Sequence, residues 1–89
     1  MDIKEFCSLF LRTLNNYIRT EKRYELFPSD QINEIINPSC IDSTVLEIFE
    51  HKLSRAVEPL KIKFNISWCD TINDIYYNHI QKMIYSKNR

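Results

Sequence analysis

The chain of 89 residues contains no glycine. Tight hairpins need positive φ, which glycine supplies most readily, so its absence weighs against a hairpin-rich β fold. It also removes the Gly-rich loops that cradle phosphates in Walker and dinucleotide-binding motifs. Cysteine is scarce and odd in number: Cys7, Cys40 and Cys69, with no CxxC pair. That argues against a disulfide framework and suits a reducing cytosol. Together with His51 and His79 the cysteines offer no pair at zinc-ligand spacing, so buried thiols and surface histidines are expected and no metal site. There is no excess of either charge, since twelve acids balance twelve bases, and no global field calls for nucleic acid or a membrane as partner. No apolar run is long enough to span a bilayer, and the stretch from Met1 to Phe6 does not read as a signal peptide. A cytoplasmic monomer is expected.

What is present describes one ordinary globular domain over residues 1–89, with 44% hydrophobic and 27% charged residues. A core of that size is small but sufficient without staples. The charge is unevenly spread: residues 1–60 carry ten acids and seven bases, whereas 61–89 carry two and five.

The strongest periodic signal comes first. Asp2 with Glu5 makes a capping-box-like start, and Ile3, Phe6, Cys7, Phe10, Leu11, Leu14, Tyr17 and Ile18 mark one face of a helix over about 2–19. Thr20 to Ser29 reads as a long loop, with Glu21, Lys22, Arg23 and Glu25 solvated and Leu26 and Phe27 turned back onto the core. A short helix is expected near 30–36, with Ile32, Ile35 and Ile36 inward, ended by Asn37 and Pro38. The central helix, near 43–57, has Leu46, Phe49, Leu53, Ala56 and Val57 on its buried stripe, and Thr44 with Glu47 as a capping box. In 61–68, Ile62, Phe64, Ile66 and Trp68 alternate with polar residues, which is a strand pattern without a partner strand. An extended connection pinned by its apolar side chains fits better, with a helical turn near Asn65 to Cys69. Asp70 or Thr71 caps a last helix near 71–85, whose stripe is Ile72, Ile75, Tyr76, His79, Ile80, Met83 and Ile84. Ser86 to Arg89 should fray. No internal repeat or low-complexity tract stands out. The expected fold is all-α, a small irregular four-helix bundle.

No catalytic constellation emerges. Ser43 and His51 lie eight residues apart along one helix, two turns from each other, so they cannot form a nucleophile–base pair. Glu47 and Glu50 read as a solvated helix face. The chain does not read as an enzyme.

The helix order and the Asp42-Ser43 pair at the start of the central helix resemble the acyl and peptidyl carrier proteins. The resemblance runs over most of the chain. Phe49, Leu53 and Val57 fall where that family's second helix buries its apolar residues, and Thr71, twenty-eight residues after Ser43, falls where a threonine often opens the last helix. The resemblance implies a four-helix bundle in which Ser43 carries a covalent 4′-phosphopantetheine arm. The arm would hold an acyl or aminoacyl group as a thioester in fatty acid, polyketide or nonribosomal peptide biosynthesis. It also implies that Asp42 helps position the phosphopantetheinyl transferase that loads the arm. Val45, Ile48 and Lys52 would then be read by acyl- or aminoacyl-loading partner enzymes. Val45 and Ile48 are apolar yet off the core stripe, which motivates that face. Cys40 stands where the family usually has glycine, and Thr44 where it usually has an apolar residue. Those departures and the balanced charge motivate a rival reading. In it the chain is a non-catalytic helical interaction protein, such as an immunity protein or phage-type inhibitor, that acts by binding a partner protein.

Overall fold

In the computed structural model, residues 1–58 and 60–81 are described. They form four α-helices around one core: α1 (Ile3–Thr13), α2 (Ile32–Ile35), α3 (Ser43–Ala56) and α4 (Ile72–Ile75), the last continuing as a π-helix over Tyr76–Gln81. No strand occurs among the described residues; two isolated antiparallel bridges, Ile18 with Ile36 and Gln31 with Thr71, are the β-type pairings. No described helix is long and apolar enough to cross a membrane.

α1 is held at its start by the expected capping box, the Glu5 amide donating to Asp2 Oδ1 at 2.8 Å. It stops at Thr13, earlier than the periodic pattern predicts. Asn15 and Asn16 follow, residues whose side chains compete for backbone groups and favour turns over helix. The chain tightens into a 3₁₀ turn over Asn15–Tyr17 and then pairs with a distant segment. The Asn37 amide donates to the Tyr17 carbonyl at 2.8 Å, and the Arg19 amide donates to the Ile35 carbonyl at 2.8 Å. The apolar face survives the change of backbone: Phe6, Phe10, Leu14 and Ile18 are all fully buried.

In the loop, Leu26 is buried as expected, but Phe27 is half exposed and Tyr24 almost wholly so. The charged stretch is not merely solvated. Arg23 Nε donates to the Ile18 carbonyl at 2.9 Å, and Lys22 Nζ pairs with Asp30 Oδ1 at 3.3 Å.

α2 and the start of α4 are built alike, which corrects the expectation of no internal repeat. Asp30-Gln31-Ile32-Asn33-Glu34-Ile35 matches Asp70-Thr71-Ile72-Asn73-Asp74-Ile75 at an offset of forty residues. The two copies pair with each other about a local two-fold. The Ile32 amide donates to the Asp70 carbonyl at 2.9 Å and the Ile72 amide to the Asp30 carbonyl at 3.0 Å. The Asn33 amide donates to the Trp68 carbonyl at 3.1 Å and the Asn73 amide to the Pro28 carbonyl at 2.9 Å. Each aspartate also closes its own turn, accepting from the Phe27 amide at 2.8 Å or the Ser67 amide at 3.0 Å. Ile32, Ile35, Ile72 and Ile75 are thereby all fully buried, each contributing on the order of 1.5–3 kcal/mol of apolar burial.

α3 buries Phe49, Leu53 and Val57. Leu46 is half-buried against the core, and Ala56 is exposed, contrary to its predicted place on the stripe. Beyond α3 the chain turns at Lys61, whose φ of 54° lies in the left-handed region that glycine would take without cost. The alternation expected from Ile62 onwards is then borne out: Ile62, Phe64 and Ile66 are buried, with a turn at Trp68 and Cys69. Thr71 caps α4 in a capping box with Asp74. Along its continuation Tyr76 and Ile80 are buried, while Met83, Ile84 and the expected fraying at Ser86 to Arg89 fall outside the described residues. Cys7 is buried and Cys40 half-buried, but Cys69 is exposed, so only the first fits the expectation of buried thiols.

Aromatic rings fill the two ends of the core. Phe6 meets Phe10, Phe64 and Tyr76 at centroid distances of 6.2, 6.4 and 5.8 Å. Phe49 sits between Tyr17 at 5.1 Å and Trp68 at 6.0 Å.

Candidate functional site

The candidate site is the start of α3. The Asp42 backbone is extended, and its carboxylate accepts from both the backbone N–H and the hydroxyl of Thr44, each at 2.9 Å. Asp42 is therefore the N-cap, which corrects the expectation that Thr44 caps the helix with Glu47. The order of residues explains the shift. Asp at the boundary accepts a first-turn N–H as well as threonine does, and it leaves Ser43 and Thr44 free to begin the helix. The Thr44 backbone bond, then the Thr44 hydroxyl, hold the Asp42 carboxyl below its ordinary range, and the Ser43 hydroxyl adds to this.

Ser43 occupies the first helical position and is exposed. Its hydroxyl lies beside the Asp42 carboxylate but is not the cap. At that position the positive end of a 14-residue helix favours a phosphate.

Of the predicted partner face, Ile48 and Lys52 are exposed and share an open groove of about 350 Å³ with Thr44, Glu47, His51 and Arg55. Val45 is not in that groove; it is half-buried and packs against the core. No protein-family model, curated protein or solved structure matches this chain.

Two residues read as surface groups turn out to hold the extended segment beside α3. Glu50 Oε2 accepts from the Ile66 amide at 2.7 Å, so Glu50 is not simply part of a solvated face, whereas Glu47 is exposed. His79 is half-buried rather than a surface histidine. Its Nδ1 lies 2.8 Å from the Ile75 carbonyl and its Nε2 accepts from the Asn65 amide at 3.0 Å, which requires the neutral ring with the proton on Nδ1. Ser54 Oγ donates to the Ile62 carbonyl at 2.6 Å. His51 is exposed on α3.

A second, still more open depression of the surface, of about 600 Å³, is lined by Arg19, Gln31, Asn33, Glu34, Ile41 and Trp68. The sequence gives no motif for this grouping. The signal that would have found it is the repeat, since Asn33 lies within one copy and Trp68 stands just before the other. Among the described residues, no group of three or more His, Cys, Asp or Glu side chains is placed to hold a metal ion.

Proposed function

We propose that this protein is a carrier whose Ser43 bears a 4′-phosphopantetheine arm, on which an acyl or aminoacyl group rides as a thioester. The observation that carries the reading is the division of labour at the start of α3. Asp42 caps the helix, so the exposed Ser43 hydroxyl is not required as the cap, at a position suited to a phosphodiester. The small all-α fold, with a threonine capping the last helix, is compatible with that reading, although Ser43 opens the third helix of the chain rather than the second.

In the loading step the Ser43 oxygen bonds to the phosphorus that carries the pantetheine in coenzyme A. The pyrophosphate bond breaks, adenosine 3′,5′-bisphosphate leaves, and the serine proton passes to a base on the transferase. The arm supplies a thiol for thioester formation; this chain's own residues present, orient and shield it. Asp42 orients the backbone that presents Ser43 to the transferase. Ile48 and Lys52, exposed one turn apart on α3, offer an apolar and a cationic contact to loading enzymes, while the half-buried Val45 packs against the core and adds at most its exposed edge. On this reading the chain is a cytoplasmic monomer and not itself a catalyst.

Intact mass after incubation with coenzyme A and a broad-specificity phosphopantetheinyl transferase tests it. Wild type should gain one arm, and Ser43→Ala none. Wild-type protein left unmodified by several transferases, its host's own included, would retire the carrier and leave the α3 face as the docking surface of a non-catalytic interaction protein.

A further inference from the structure

In the extended segment from Lys61 to Ile66, two neighbouring amides are held by titratable side chains rather than by a strand. The Ile66 amide donates to Glu50 Oε2 at 2.7 Å and the Asn65 amide to His79 Nε2 at 3.0 Å. The two acceptors respond differently to a proton. A carboxyl that gains one keeps acceptor lone pairs, whereas an imidazole that gains one has none left. Protonated His79 turns an N–H toward the N–H of Asn65. The ring is the anchored side of that contact. Its Nδ1–H donates to the Ile75 carbonyl at 2.8 Å, a bond that both protonation states make. The Phe64 ring, 4.9 Å from it and itself stacked on Phe6, holds the imidazole from the other side and attracts its cation. The exposed Asn65 peptide is therefore what gives way, and Glu50 and Ser54 still tie the segment to α3. Of the charged and titratable groups on the elements packed here, Glu50 of α3 stands at the next amide and Lys63 two residues back on the segment. Glu50 attracts the cation and Lys63 repels it. Tyr76 lies one turn back on the helix, its hydroxyl donating to the Met1 carbonyl at 2.6 Å.

We propose that His79 is a proton-operated latch on the Asn65 peptide: the neutral ring holds the amide, and the cation lets it go. The bond is complete at the alkaline end and is lost as pH falls through the range in which imidazoles charge, about pH 8 to 5. Lys63 and Phe64, just before the latch, line an open groove of about 470 Å³ against α3, so the latch sets how firmly that wall of the groove stands. The latch involves no atom at the start of α3 and operates whether or not Ser43 carries an arm.

Nuclear magnetic resonance on the whole chain tests it. At the alkaline end, the imidazole nitrogen shifts of His79 should show the proton on Nδ1. As pH is lowered over that range, the Asn65 amide proton should move with the same midpoint as the His79 ring. Its exchange protection, corrected for the intrinsic rate, should fall about threefold to tenfold, the loss of one hydrogen bond. The Ile66 amide, held by Glu50, should keep its protection. In His79→Gln, whose Oε1 accepts without titrating, the Asn65 step should vanish. In His51→Gln, at the exposed histidine of α3, it should remain. Should His79→Gln not fold, the shared midpoint of ring and amide in the wild type and in His51→Gln still assigns the step. A proton on Nε2 at the alkaline end, a ring that stays neutral throughout, or Asn65 protection unchanged as the ring charges overturns the latch. So does a step that persists in His79→Gln.

Discussion

Phe49 is fully buried at the middle of α3, its ring between Tyr17 and Trp68. Truncation would leave a cavity that three elements border and none can fill, so Phe49→Ala should cost about 3–5 kcal/mol in urea unfolding. A loss below about 1 kcal/mol would show that the site collapses freely. Asp42 and Ser43 should separate cleanly. The Asp42 carboxyl is depressed when folded, chiefly by the Thr44 backbone bond. Its stabilisation is therefore complete above the unfolded carboxylate range and is lost as pH falls through the depressed folded value. Asp42→Ala should lower the urea midpoint at neutral pH, by an amount that shrinks as the solution becomes acidic. Ser43→Ala should change stability by no more than about 0.5 kcal/mol at either pH, as surface changes away from caps do. A pH-independent deficit for Asp42→Ala would mean that the carboxylate is not what caps α3. The pair Asp42-Ser43 was visible in the sequence, but its assignment as cap and first residue was not. Asp42, Ser43 and Thr44 all favour the N-cap, and only the geometry of the Thr44 amide chooses between them.

The extended segment from Lys61 to Ile66 is an element of unusual construction. Its alternation was legible because the period of two is a property of side chains alone: Ile62, Phe64 and Ile66 go in, Lys61, Lys63 and Asn65 stay out. What replaces a partner strand was not legible, because it comes from helices. Glu50 and Ser54 on α3, and His79 beyond α4, supply the acceptors and the donor that a neighbouring strand would provide. A glutamate at Glu50 looks the same in sequence as the solvated Glu47 one turn earlier. Glu50→Ala strands the partly buried Ile66 amide and should cost about 1–3 kcal/mol, as unpaired buried donors do. Glu47→Ala should stay within about 0.5 kcal/mol. Equal effects of the two substitutions in urea unfolding would show that the segment is held by its apolar side chains alone. α1 offers the converse case. Its apolar periodicity runs on to Ile18, but the helix ends at Thr13, since a buried face can be continued by a 3₁₀ turn and a bridge without breaking step.

At the scale of the whole molecule, the all-α class and the buried stripes followed from composition and periodicity, whereas the organising contact did not. The two copies of Asp-x-Ile-Asn-acid-Ile are only six residues long and stand forty apart, too short to register as a repeat until their backbones are seen to exchange hydrogen bonds. That exchange ties the first half of the chain to the second and fixes where Asn33 and Trp68 meet. It also makes a coupled unit. Asp30 closes the turn from Phe27 with its carboxylate and receives the Ile72 amide on its carbonyl; Asp70 does the same for the turn from Ser67 and the Ile32 amide. Removing either carboxylate loosens a turn and, through it, the carbonyl on which the other copy depends. Asp30→Ala and Asp70→Ala should each cost about 1–2 kcal/mol, with Asp30 the larger because Lys22 also loses its partner. The double substitution should fall short of the sum by roughly 0.5 kcal/mol or more, since the second change acts on a junction already loosened. Strict additivity in a double-mutant cycle of urea midpoints would mean that the two turns stand independently, and that the core isoleucines rather than the reciprocal bonds hold the halves together.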